Sequence, residues 1–174
     1  GALGYVVCAD EAVSQSKSMG IEFDWMVTGT GSTGTQAGLL AGLGILDAKL
    51  PVMGVSVRKP RDQQIPAVHD LTQRVAKQFS DLTIPVDAVQ VNDEYVGEGY
   101  GIPAESTLDA IITAARTEGL LLDPVYSGKA FAGMLGMISE GFFTADQNIL
   151  FLHTGGSVSL FGYEDALMKH TGER

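Results

Sequence analysis

The run FDWMVTGTGSTGTQAGLLAGLGIL at residues 23–46 decides the fold. Phe23, Trp25 and Val27 lead a short apolar strand into Gly29-Thr30-Gly31-Ser32-Thr33-Gly34-Thr35, and the residues from Gln36 to Leu46 turn apolar and helical. A strand that passes through glycines into a helix lets the backbone turn with positive φ and approach a ligand closely. Its amides and the helix N-terminus then converge on one anion. Hydroxyls on Thr30, Ser32, Thr33 and Thr35 add donors to this cradle. No lysine follows in the GxxxxGK pattern of nucleoside-triphosphate loops. A clean GxGxxG with an acidic residue about 20 positions on, the mark of a dinucleotide site, is also missing. A small phosphate-bearing ligand fits this run best; a plain tight turn capped by serine or threonine is the alternative.

The same alternation extends on both sides. Residues 2–17 carry Leu3, Val6, Ala9 and Val13 at helical spacing, and Gly20 stops that helix as a left-handed cap. Downstream, residues 52–57 form a β-branched strand, and Val68, Leu71, Val75 and Phe79 mark a helix over 62–79. A strand at 86–91, a glycine-rich loop at 95–103 and a helix from Pro103 to Gly119 follow. A short buried strand at 120–122, a helix at 127–139 and a last strand at 149–152 complete the series. Strands separated by helices predict an α/β fold with three layers: a largely parallel sheet with helices on both faces. The ligand of such a sheet sits beyond the carboxyl ends of its strands. Those ends carry residues 29–35, 95–101, 123–127 and 153–156.

Composition narrows the function. The chain has 174 residues, enough for one domain with a real core, and no repeat or low-complexity tract. A formal charge of −10 argues against nucleic acid, because neutralising phosphates needs clustered cations. The nearest approach to a cluster is Arg58, Lys59 and Arg61 around Pro60. Cys8 is the sole cysteine, so no internal disulfide forms and a reducing, cytoplasmic setting is expected. Apolar runs break well short of the ~20 residues that a membrane span requires. The start on Gly1 without a methionine suggests a processed or truncated chain.

Two tyrosines lie in rigid loops at strand ends: Tyr100 in Glu98-Gly99-Tyr100-Gly101-Ile102-Pro103, and Tyr126 in Asp123-Pro124-Val125-Tyr126-Ser127-Gly128-Lys129. Asp123 is expected to cap the helix that follows it. Lys129 is assigned a surface or helix-end role, and His153 a structural one. His69 and His170 show no metal-ligand spacing, and no metal site is expected.

In that order, the motifs resemble the C-terminal half of fold-type II pyridoxal-phosphate enzymes. The similarity is to the D-cysteine desulfhydrase and 1-aminocyclopropane-1-carboxylate deaminase group. It runs from Gly1-Ala2-Leu3-Gly4-Tyr5 through the Ser/Thr/Gly loop and both tyrosine motifs to His153-Thr154-Gly155-Gly156. It implies a tryptophan synthase beta-like fold, incomplete here, with residues 1–174 forming the C-terminal part of the large cofactor-binding domain. Gly31, Ser32, Thr33, Gly34 and Thr35, with Thr30, would hold the phosphate of pyridoxal 5'-phosphate. Tyr100 and Tyr126 would line the substrate side, and Thr154 and Ser127 would lie near the pyridine nitrogen. Deaminases carry glutamate and leucine where Ser127 and Thr154 stand, so the pair follows the desulfhydrase pattern. The resemblance places the cofactor-linking lysine and a small domain in an N-terminal half outside these residues, leaving the fragment inactive alone. The implied activity is α,β-elimination from a small sulfur-containing amino acid, D-cysteine giving hydrogen sulfide, ammonia and pyruvate. L-cysteate sulfo-lyase, deaminase and a non-catalytic anion-binding module are the alternatives. A homodimer is the implied assembly.

Overall fold

The structure, a computed structural model, describes residues 1–172. Its strands are β1 (Trp25–Thr30), β2 (Val52–Ser56), β3 (Gln90–Asn92) and β4 (Ile149–Phe151). They form one parallel sheet in the order β3-β2-β1-β4, with Thr28 level with Gly54, Met53 with Gln90 and Val27 with Phe151. The helices are α1 (Ala2–Met19), α2 (Gly34–Ile45), α3 (Arg61–Ala76), α4 (Glu105–Glu118), α5 (Ser127–Ser139) and α6 (Glu164–Thr171). Gly20 ends α1 at φ 67, its amide turned back to the helix carbonyls.

Alternate strand residues feed two cores, as a sheet covered on both faces requires. Met26 and Val52 pack with Leu39, Leu40 and Leu43 of α2 and with Ala9 of α1. On the other face, Val27, Met53 and Val55 meet Ala130, Met134 and Met137 of α5. The three-layer parallel expectation therefore holds.

One expected strand is shorter and later than predicted, and another is absent among the described residues. At 86–91 the chain makes a 3-10 turn, Val86–Ala88, after Pro85, and only Gln90–Asn92 joins the sheet. Val86 is exposed and Asp87 favours a turn, so the chain joins the sheet only where Val89 and Val91 enter the core. At 120–122 the chain is extended but unpaired, with Leu120 and Leu121 exposed and Leu122 alone buried. Its first amide closes the C-terminus of α4, bonding Ala114 O, instead of starting a ladder.

The strand order sets the place of the site. From β1 the chain moves outward to β2 and β3, then returns to add β4 on the opposite side of β1. The crevice of such a sheet opens where that direction reverses, at the carboxyl ends of β1 and β4.

Candidate active site

A cavity of about 610 Å³ lies at that crevice, lined by Tyr5, Ser32, Thr35, Tyr100, Tyr126 and Thr154, with Asp123, Gly156 and Tyr163. Two others of similar size, about 580 and 540 Å³, sit beside edge strand β3 and at the end of α1, away from the cradle. Residues from three of the predicted loop ends and from the Tyr126 turn thus meet at one place.

The cradle is the corner between β1 and α2. Thr33 is the N-cap of α2 at φ 71, makes no capping side-chain bond, and the first turn holds no acidic residue. The amides of Gly34, Thr35 and Gln36 have no partner among the described residues. The Ser32 amide donates to the Tyr126 hydroxyl at 3.1 Å. The expectation that glycines would take the positive φ is corrected here: Thr33 takes it, and Gly29, Gly31 and Gly34 do not. Gly31 serves instead by its missing side chain, since a Cβ there would lie 2.8 Å from the Tyr126 hydroxyl and 2.9 Å from Val57 Cγ2. Thr30 is also corrected. Its side chain is buried and accepts a bond from Gln64 Nε2 at 2.8 Å, so it pins α3 to β1 and offers no hydroxyl to the cradle surface.

The Tyr126 turn is built around Asp123. This buried carboxylate accepts from the amides of Val125 (2.9 Å), Tyr126 (2.8 Å) and Ser127 (2.7 Å), and from the Ser127 hydroxyl (2.6 Å). The Asp123 amide in turn donates to Ser127 Oγ at 2.8 Å. Asp123 is expected as the cap of α5, yet the N-cap position is Tyr126, which makes no side-chain capping bond; Asp123 instead folds the turn before the helix and reaches its first amide, that of Ser127. Ser127, placed by the resemblance near a pyridine nitrogen, is itself buried, does not line the cavity, and spends its proton on Asp123. Gly156, at φ 94, closes over the carboxylate, where a Cβ would come within 2.8 Å of Asp123 Oδ1.

Tyr100 stands exposed at the cavity, with the Arg58 guanidinium 5.8 Å from its ring centroid. The Tyr163 hydroxyl donates to Gly101 O at 2.7 Å, next to it in the chain. Thr154 follows β4 and lines the cavity. His153 is exposed and lies outside the lining, and among the described residues no three His, Cys, Asp or Glu cluster as a metal site would.

Lys129 corrects the surface role assigned to it. It is 0 % exposed, and its Nζ donates to Val96 O (2.5 Å) and Gly99 O (2.7 Å). Burial holds its pKa below the ordinary 10.5. The unfolded chain therefore keeps that proton to higher pH, and Lys129 favours folding increasingly as pH rises towards 10.5. Tyr5, Tyr163 and Ser159, missed in the sequence, reach the cavity from α1 and from the 3-10 segment Ser157–Tyr163. Tyr5 stands in the Gly1–Tyr5 motif that opens the resemblance, whereas Ser159 and Tyr163 carry no motif, and the place of all three depends on packing between distant segments.

Residues 1–155 match the family model described as pyridoxal-phosphate dependent enzyme. A D-cysteine desulfhydrase from Yersinia enterocolitica is 43% identical over 163 residues, covering 94% of this chain and 49% of that protein. The chain thus spans about half the length of the curated relatives it matches. Among solved structures, an ACC deaminase homologue superposes with a TM-score of 0.84 at 32% identity, covering 97% of this chain and 50% of its own. A threonine deaminase from T.th. superposes at 0.58 with 15% identity, over 88% of this chain and 57% of its own, a likeness of fold alone.

Proposed function

The chain belongs to the pyridoxal-phosphate dependent enzymes, and on that premise we propose that the full-length protein is a lyase that eliminates hydrogen sulfide from D-cysteine. One observation carries the reading: the uncapped start of α2 opens into the same cavity as Tyr100, Tyr126 and Thr154. Free amides at Gly34, Thr35 and Gln36, with no acid in that turn, suit a phosphate dianion. The residues present therefore fit pyridoxal 5'-phosphate. Ser32, Thr33, Gly34 and Thr35 would hold its phosphate, with Gly31 leaving room for Tyr126, and Thr154 would donate to its pyridine nitrogen.

When bound, the cofactor draws electron density from the substrate α-carbon and loosens its proton. The chain's own residues bind and place the reactants. Tyr126 already accepts a bond from the Ser32 amide, which leaves its phenolic proton to donate elsewhere. We assign that proton to the sulfur as the carbon–sulfur bond breaks. Thr154, a neutral donor, leaves the ring nitrogen without a full charge. Ser127 acts from beneath, holding Asp123 and with it the Tyr126 turn. The net reaction takes D-cysteine and water to hydrogen sulfide, ammonia and pyruvate.

No lysine lines the cavity among the described residues, so we assign the cofactor-linking lysine to the rest of the full-length protein. Residues 1–174 are then the C-terminal part of the large domain, and the resemblance supports a homodimer. A second reading, L-cysteate sulfo-lyase, draws on Arg58, a cation at the Tyr100 edge of the cavity that suits a sulfonate. The test is to supply the loaded full-length enzyme with D-cysteine, L-cysteate and 1-aminocyclopropane-1-carboxylate, and to measure sulfide, sulfite and ammonia. Sulfide and pyruvate from D-cysteine are expected. Faster sulfite release from L-cysteate establishes the second reading, and ammonia from the cyclopropane alone makes the protein a deaminase.

A further inference from the structure

Lys129 is the largest fully buried side chain of the described residues, and no carboxylate pairs with it among them. A buried cation without a counter-charge is costly, so its partners carry the reason for keeping it. Both are backbone carbonyls of the 95–101 loop, Val96 O and Gly99 O. That loop makes few bonds of its own: Val96 N reaches Asp93 O at 3.5 Å and Ile102 N reaches Gly99 O at 3.2 Å. Tyr95 seats its ring against Gly133 of α5, and the two carbonyls that flank Tyr100 are both held from outside. Gly99 O is held by Lys129 and Gly101 O by Tyr163.

Lys129 stands three residues after Tyr126, inside the first turn of α5. Its ammonium therefore ties the Tyr100 loop to the turn that carries Tyr126.

We propose that Lys129 is a positioning residue that fixes Tyr100 relative to Tyr126 across the substrate cavity. Its link to substrate rests on the functional reading above; its grip on the loop does not. Alanine or methionine at this position would leave Val96 O without a donor and Gly99 O with the Ile102 amide alone, and so loosen the Tyr100 peptide. Charge-assisted bonds to the ammonium are the stronger kind, so the loop order depends on this one side chain.

The test uses full-length protein carrying Lys129→Met, which keeps the stem and removes the ammonium. Amide hydrogen exchange over residues 96–102 should quicken by about tenfold or more, while β1 and β2 amides keep their protection. In the loaded enzyme, KM for the amino-acid substrate should rise by about tenfold with a smaller change in kcat. In a Tyr100→Ala background the same substitution should add almost nothing, because its effect passes through Tyr100. Unchanged exchange in the loop, or effects of the two substitutions that simply add, overturns the proposal. Should Lys129→Met fail to fold, the unsubstituted protein still decides. A hydrogen-bonded, buried ammonium exchanges slowly enough to be seen by NMR at neutral pH, and absence of such a lysine signal rules the clamp out. If the parent turns over no amino acid while loop exchange responds as stated, the functional reading falls and the clamp stands.

Discussion

Two helices begin at the same cavity and are treated in opposite ways. The turn into α5 is held by one residue: the Asp123 carboxylate accepts from the amides of Val125, Tyr126 and Ser127 and from the Ser127 hydroxyl, within 2.6–2.9 Å, and its carbonyl accepts from the Gly128 amide. The first turn of α2 is bare, with an uncapped Thr33, no acidic residue and three amides without partners among the described residues. A side-chain cap typically stabilises a helix start by about 1 kcal/mol, and a residue held at positive φ costs on the order of 1 kcal/mol more. The cradle therefore forgoes stability that the neighbouring turn collects. On the function proposed above, that difference suits an outside anion at α2, since Asp123 serves the turn into α5 and no side chain serves the turn into α2.

The contrast breaks most severely at Asp123. Asp123→Ala strips the partners from buried amides, and a loss of about 3–4 kcal/mol is expected in urea unfolding of the full-length protein. Loss of a few tenths would mean that the turn holds itself without the carboxylate.

Thr33→Asp gives the bare turn a carboxylate, as Asp123 gives the other. Unfolding stability without cofactor should rise by about 1 kcal/mol, while cofactor affinity falls by roughly a hundredfold, through like-charge repulsion of the phosphate. Titration of the cofactor against parent and variant measures this. Equal affinities would show that the phosphate lies elsewhere.

Gly31→Ala leaves both helix starts alone and tests the contact between the two turns. The new methyl meets the Tyr126 hydroxyl at 2.8 Å, so the ring must move and its bond from the Ser32 amide must lengthen. Turnover should fall about tenfold with a stability loss of about 1–2 kcal/mol, measured by kcat/KM and thermal midpoint. Ser127→Ala is the mildest change. It removes one donor to Asp123 and one acceptor for its amide, and about 1 kcal/mol is expected in the same unfolding assay. A turnover loss with no stability loss would place the hydroxyl in direct contact with the reacting groups.

The alternation of apolar strands and amphipathic helices was legible in the sequence because side-chain period reports burial on one or two faces. Thus β1, α2 and α5 fall where the residues place them, the last matching Ser127–Ser139 to its ends. The strand expected at 86–91 overlaps β3 only at its end, and the one expected at 120–122 does not form, because short apolar runs carry no period and strand pairing depends on neighbours far along the chain. The cradle was legible from its glycines and hydroxyls, yet the reason for the glycines was not. Gly31 answers to Tyr126, far along the sequence, and not to its own φ.

What the sequence determined by itself is local: a strand–glycine–helix corner, an aspartate one turn before a helix, tyrosines in stiff loops, and no acid in the first turn of α2. Each follows from short-range sterics and hydrogen bonding, which neighbours within a few residues fix. Tertiary structure alone decided that β4 would return beside β1 and open the crevice, that Thr30 would face inwards to Gln64, and that Lys129 would disappear beneath the Tyr100 loop. Those outcomes depend on which distant surfaces pack together. A lysine in the first turn of a helix reads as solvated until the fold supplies carbonyls to receive it.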